Sequence, residues 1–253
     1  ADTITATLNY TVNGEEKTLE KTYSVKEYFE AFDEAYDSTN PGAYTENVVN
    51  LIKATADLGH YLQPYLKDRD GYGWSFGDGA DQHVEMDKFY TTYTDTDLTE
   101  ATTEVASHAL SVNTSGNVTD DIRKLGYTID FESAMSIRVT VTTKSTYTGS
   151  VTATWTSEAG SGECTVTQPS ENDKTVYLVE IPNIMAHQLS RDYTIVITTD
   201  NGTMTLTGSA LSYAQMMLAS ANGNTVTQNA MIAFYRYSQF ADIVKGNPTD
   251  INK

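Results

Sequence analysis

Residues 192–239 carry the pattern that most limits what this chain can become. Apolar residues alternate with threonines through 192–199 and again through 203–208, with Asp200-Asn201-Gly202 between them. Successive strand side chains point to opposite faces, so this alternation specifies two strands with one buried face. Asn-Gly tolerates the positive φ that a tight hairpin turn requires. The period then changes from two to three or four. Ser209-Ala-Leu-Ser-Tyr-Ala-Gln-Met-Met-Leu218 predicts a helix over 210–220, closed by Asn222-Gly223, and a second helix follows over about 227–245. Ala230, Phe234, Tyr237, Ala241 and Val244 line one side of that second helix. A side so apolar must pack against sheet or against other helices.

A weaker copy of the unit opens the chain. Strands over 4–12 and 16–23 flank Asn13-Gly14, with Ala6, Leu8 and Tyr10 alternating with polar residues, so one face is expected to be buried. Ser24-Val-Lys-Glu27 fits a capping box, and Val25, Tyr28, Phe29, Phe32 and Tyr36 follow at helical spacing. A second helix over about 44–63 carries Val48, Leu51, Ile52, Leu58 and Leu62, with Pro64 at its end. Tyr23-Ser-Val-Lys-Glu-Tyr28 matches Ser209-Ala-Leu-Ser-Tyr213, and Leu51-Ile-Lys-Ala54 matches Ala230-Met-Ile-Ala233. Two such units in one chain read as an internal duplication.

Between the units, 67–97 reads as irregular and 98–110 as a short helix beginning after Asp97. Thr114-Ser115-Gly116 reads as a break between two halves, 1–113 and 114–253. From 125 the chain is mostly strand. Met135, Ile137, Val139 and Val141 alternate with polar residues, as do Val151, Ala153 and Trp155. Such alternation predicts antiparallel sheets with one solvated face. The expected fold class is therefore α+β. Its antiparallel sheets have Ig-like sandwich character in the C-terminal half, joined to two β-hairpin-plus-helical-hairpin units related by duplication.

Several short motifs occur in a fixed order: Tyr23-Ser-Val-Lys-Glu-Tyr28; Leu51-Ile-Lys-Ala54 with Leu58-Gly-His-Tyr-Leu-Gln63; Phe131-Glu-Ser-Ala-Met-Ser-Ile-Arg138; and Tyr193-Thr-Ile-Val-Ile197 leading into Ser209-Ala-Leu-Ser-Tyr213. Together they resemble a module of large secreted or cell-surface proteins of Gram-positive, clostridial-type gut anaerobes. In those proteins it stands beside leucine-rich-repeat, Ig-like or dockerin domains. The resemblance implies an extracellular, non-enzymatic surface, adhesion or accessory role, and it carries no catalytic residues to transfer.

Charge narrows the partners. Sixteen Lys and Arg against thirty-four Asp and Glu give a net charge of −18, which disfavours nucleic acid and anionic membrane surfaces. No apolar run approaches the length of a membrane span, so no membrane insertion is expected. The single cysteine, Cys164, excludes an internal disulfide and reads as a small strand residue.

One stretch departs from the family pattern: Asp68-Arg-Asp-Gly-Tyr-Gly-Trp-Ser-Phe-Gly-Asp-Gly79. Its Tyr72, Trp74 and Phe76 are candidate ligand-binding residues, because aromatic rings stack on sugar faces and fill partner pockets. Asp68 and Asp70, with Asp78 and Asp81, are candidate Ca²⁺ ligands. The EF-hand pattern itself fails, since its twelfth position is Gly79 rather than Glu. His60, His83, His108 and His187 show no metal-ligand spacing, and His60 reads as structural. The expected function is thus a non-catalytic extracellular module whose partner is a host or plant polysaccharide or another surface protein. A carbohydrate-binding module using the 68–79 aromatics is the alternative. A glycoside hydrolase ranks behind both, since no pair of carboxylates is placed by the sequence.

Overall fold

The structure is a computed structural model that describes residues 3–24, 27, 45–67, 90–131, 134–170 and 174–246. The protein is α+β. Its described residues form eleven strands in three antiparallel sheets, and four α-helices. The chain divides into two compact units, Ala1–Thr91 with Gly246–Lys253, and Thr92–Lys245.

In the first unit, strands β1 (Thr3–Val12) and β2 (Glu15–Ser24) pair without a register break from Thr3↔Ser24 to Val12↔Glu15. Asn13 (φ 53°) and Gly14 (φ 83°) form the expected turn, both left-handed, which suits the twist of the flanking strands. The expected buried face is not buried. Residues 5–23 are exposed throughout, Leu8 at 59% and Tyr23 at 54%. Alternation sorts the side chains by face, but burial needs a second layer, and no described element covers this hairpin. The stripe expected after Ser24, Val25, Tyr28, Phe29, Phe32 and Tyr36, lies outside the described residues; Glu27 of the expected capping box is described, and it is helical.

Helix α1 (Glu46–Lys67) runs one turn further than expected and takes in Pro64. A proline so near the C-terminus removes one intrahelical N–H at little cost to the turns before it. Its buried residues include Val49, Leu58, Leu62 and Tyr65, whereas Val48, Leu51 and Ile52 are half-buried. The buried Asp57 carboxylate accepts the Thr91 N–H (2.9 Å), and the Tyr61 hydroxyl donates to the Thr91 carbonyl (2.6 Å). His60 stacks on Tyr90 with ring centroids 3.6 Å apart, in keeping with a structural role.

The second unit starts with helix α2 (Asp95–Val105). It begins before Asp97 rather than after it. Thr94 is the cap: its hydroxyl oxygen accepts the Asp97 N–H (3.3 Å), and Asp97 Oδ2 accepts the Thr94 N–H (2.7 Å). Asp97 serves here where a capping box usually has Glu, so the box is harder to see in sequence.

The strands that follow are β3 (Ser111–Gly116), β4 (Ile122–Asp130), β5 (Ser136–Thr143), β6 (Thr152–Ser157), β7 (Gly160–Glu163), β8 (Thr165–Thr167), β9 (Val176–Ile181), β10 (Tyr193–Thr199) and β11 (Gly202–Gly208). They build a five-stranded sheet, β3-β11-β10-β6-β7, and a four-stranded sheet, β4-β5-β9-β8. Thr114-Ser115-Gly116, expected as a break, lies inside β3 and pairs with β11. The predicted alternation holds in both sheets: Ile137, Val139 and Val141 of β5 and Ile195 and Ile197 of β10 are buried, with half-buried Arg138, Thr140, Thr194 and Val196 alternating with them.

Helices α3 (Ala210–Ser220) and α4 (Thr225–Gly246) close the unit at the expected positions. The joint between β11 and α3 is dense in hydrogen bonds. Ser212 Oγ accepts the Ser209 N–H (2.8 Å), the Tyr127 hydroxyl donates to the Ser209 carbonyl (2.9 Å), and the Leu211 N–H donates to the Leu189 carbonyl (3.1 Å). Arg236 of α4 donates to Asp97 Oδ1 (2.6 Å) and to Glu100 (3.3 Å) of α2. No described helix is long and apolar enough to cross a membrane.

Candidate functional site

The sequence-predicted site residues, Tyr72, Trp74 and Phe76 with Asp68, Asp70, Asp78 and Asp81, all lie outside the described residues. His83 lies outside them too. The described residues present a different feature, a cleft of about 450 Å³ in the second unit, lined by Phe131, Ala134, Met135, Asn183, Ile184, Met185, Ala186 and Tyr237.

Three separate segments build it. The first is the connection from β4 to β5, which supplies Phe131 and Met135. Phe131 is held edge-to-face against Phe234, a fully buried residue of α4, with ring centroids 5.4 Å apart. The second segment leaves β9 at Pro182. Asn183 sits at φ 60°, a left-handed conformation that asparagine tolerates better than most residues. The Ile184 N–H donates to the Met135 carbonyl (2.8 Å), which joins these two segments. A 3₁₀ turn over Ala186–Gln188 follows, and Gln188 Oε1 accepts the Met185 N–H (3.1 Å). Met185 therefore stands on a braced turn with 60% of its surface exposed. The third segment is α4, which contributes Tyr237.

The lining is mostly apolar, with two polar groups in it. Among the described residues, neither the Asn183 carboxamide nor the Tyr237 hydroxyl has a hydrogen-bond partner. Burial pushes the Tyr237 phenol above its ordinary range, so it stays a neutral donor at physiological pH. Arg191 and Lys245 lie within electrostatic reach of His187. His187 follows Ala186 in the 3₁₀ turn and is pushed below its usual pKa, chiefly by burial and then by Arg191 and Lys245, while Asp242 acts the other way. Asp242 is tied to the Ser190 hydroxyl at 2.7 Å. In a chain with a net charge of −18, Arg191 and Lys245 bring two cations close to the neutral His187, with the Asp242 carboxylate opposing them. Among the described residues the cleft's lining contains no carboxylate, thiol or imidazole; it offers a guest apolar contact and the Asn183 and Tyr237 polar groups.

Two other constellations have chemical potential. His108 Nδ1 lies 3.1 Å from Ser209 Oγ, the separation of a base from a nucleophile. Ser209 is fully buried, however, and its backbone is held on both sides at the β11–α3 joint, so the pair fastens that joint. The Asp121 carboxylate, 3% exposed by residue, accepts the Asn201 N–H (3.2 Å) and the Asn201 amide (2.7 Å). Hydrogen bonds from the Thr199 hydroxyl and then from Asn201 hold it below the usual carboxylate range. Its acceptors are spent on the 199–201 turn, so it is a strut for that turn.

Sequence reasoning found the elements of the cleft but not the cleft. Phe131 and Met135 sit in a quoted motif and Tyr237 in the α4 stripe, yet only the fold brings them to Met185. The one local signal is Pro182-Asn183, a turn-forming pair just ahead of the 3₁₀ turn over Ala186–Gln188. No protein-family model, curated protein or solved structure matches this chain.

Proposed function

We propose that this chain is a non-catalytic extracellular module of the surface-adhesion or accessory type, and that the Met185–Tyr237 cleft is where it grips a partner. In this reading the C-terminal half is an Ig-like sandwich and the two hairpin-helix units descend from one duplication. The observation that carries the reading is the cleft's make-up: an exposed methionine and an aromatic floor, two unspent polar groups, and two cations, Arg191 and Lys245, close to the His187 that adjoins it. Methionine adapts to irregular apolar guests, and buried aromatic or aliphatic anchors dominate the energetics of protein recognition. The partner favoured is a surface protein that presents an apolar side chain beside acidic residues.

The test is fluorescence anisotropy with labelled peptides in which one Leu, Phe or Trp is flanked by Asp and Glu, alongside the same peptides with Lys flanks. The acidic set should bind, and Met185→Asp should weaken binding at least about tenfold, the cost of losing a central anchor contact. Equal binding of both sets, or indifference to Met185→Asp, would remove the cleft from consideration. The carbohydrate alternative rests on Tyr72, Trp74 and Phe76. Binding to plant or mucin polysaccharides that is abolished by Trp74→Ala would place it first.

A further inference from the structure

Strand β1 differs from every other sheet edge described in this chain. Exposed edges template unwanted pairing, and proteins blunt them with charge, bulges or brevity. The β4 edge carries Arg123 and Lys124 and a register shift between Ile122 and Lys124. β7 has four residues and β8 three. β3 has six and ends at the left-handed Gly116. β2 carries Glu15, Glu16, Lys17, Glu20 and Lys21. β1, Thr-Ile-Thr-Ala-Thr-Leu-Asn-Tyr-Thr-Val, has ten residues, no charge, no proline and no bulge. Among the described residues it pairs with β2 alone.

We propose that the free edge of β1 pairs antiparallel with β1 of a second copy of this chain, across a two-fold axis at Leu8. Three observations carry the choice of occupant. The first is charge. Each copy has a net charge of −18, and a strand with no ionised side chain can approach its own copy without opposing like charges at the seam. The second is pattern. The two-residue turn makes Val12 and Glu15 the closing hydrogen-bonded pair, so alternation directs the amides and carbonyls of Thr5, Thr7, Asn9 and Thr11 outward. A two-fold axis at Leu8 sets Thr7 opposite Asn9 and Thr5 opposite Thr11 of the other copy, which pairs those outward groups. On the other face Leu8 meets Leu8, and the small Ala6 meets the large Tyr10. The third is the sister hairpin. β10–β11 is likewise two antiparallel strands joined by a two-residue turn, here Asp200-Asn201, and both of its edges are occupied, by β6 and β3. A two-stranded hairpin is marginal alone, whereas a four-stranded sheet with one apolar face is not. Pairing at β1 makes a four-stranded sheet whose two inner strands set Ala6, Leu8, Tyr10 and Val12 of both copies on one face, with Leu19 beside them and Glu15, Lys17 and Lys21 of β2 at its margins.

The experiment is sedimentation velocity on the full chain over a concentration series. Wild type should show a reversible dimer, tighter at high salt. Raising ionic strength shortens the screening length from about 10 Å at 0.1 M to about 3 Å at 1 M and relieves repulsion between acidic copies. Leu8→Lys and Leu8→Glu should each raise the dissociation constant at least about tenfold, because each sets like charges opposite one another at the axis. Leu8 is 59% exposed, so neither change should move the melting temperature of the monomer. Mixing the two variants should restore a dimer containing one of each, and a misfolded variant could not produce that rescue. A wild type that stays monomeric overturns the proposal. So does a dimer indifferent to Leu8→Lys, or a mixture that fails to pair.

Discussion

Phe234 joins the core of the second unit to its cleft, so truncating it tests both. The residue is fully buried on α4 and meets Phe131 edge-to-face at 5.4 Å. Phe234→Ala removes a buried ring and leaves a cavity that close-packed neighbours fill only in part, a cost of about 3–5 kcal/mol. The ring pair accounts for about 0.5–1.5 kcal/mol of that. Urea unfolding, followed by fluorescence in a Trp74→Phe background, reports this unit alone, because Trp155 is then the only tryptophan. With a urea dependence of about 2 kcal/mol per molar, the midpoint should fall by about 2 M. A double-mutant cycle with Phe131→Ala isolates the pair, and the coupling should match the ring-pair figure. The acidic-peptide affinity should fall as well, since Phe131 loses its support. A Phe234→Ala cost below about 1.5 kcal/mol, or a coupling of zero, would refute the claim that this pair braces the cleft, because burial this complete should cost at least twice as much.

Asp97→Asn should cost about 1–2 kcal/mol at neutral pH, through the weakened cap and the lost charge opposite Arg236. The Thr94 hydroxyl and N–H, and then Arg236, hold the Asp97 carboxyl below its ordinary range. Its contribution is therefore present above the unfolded carboxylate pKa of about 3.9 and is lost as pH falls through the lower folded value; acid titration of both proteins should show the gap closing from the wild-type side. Gly202→Ala should lower the melting temperature sharply, by about 2–3 kcal/mol of stability, because the added methyl would lie 2.2 Å from the Ser115 carbonyl oxygen and 3.0 Å from the Val118 nitrogen, both backbone atoms. Burial pushes the Cys164 thiol up to about 11, so a thiol reagent at mildly alkaline pH should label the native protein slowly and the urea-unfolded protein at once.

What the sequence made legible is what local chemistry decides. Asn13-Gly14 named a turn and set the register of twenty residues, because only certain residues accept two positive φ values in succession. The closing helices were legible because Ser209 starts one and Asn222-Gly223 ends it. Features decided by distant partners were not legible. β3 reads as a break because Thr114-Ser115-Gly116 has no apolar period, and it is a strand because β11 offers it an edge. The start of α2 was placed late because Asp97 was read as an entry when it is half of a cap. The exposed face of β1 and β2 reads as core, since alternation states which side chains share a face and is silent on what covers it. The cleft is the extreme case: three segments from 131 to 237, none distinctive alone, meet only through the topology.

The pairing of β3 with β11 has a consequence for the order of events in biogenesis. β3 is the earliest strand of its sheet and β11 the latest, and the His108–Ser209 contact at the same end spans 101 positions. As the chain emerges, β3 has no neighbour until almost the whole sheet has been made. Contacts so far apart in sequence close late and slowly. The full five-stranded sheet can therefore close only after residues 202–208 are available. A chain released before Gly202 would present β3 and β10 as two raw edges, a form for proteases and chaperones to clear.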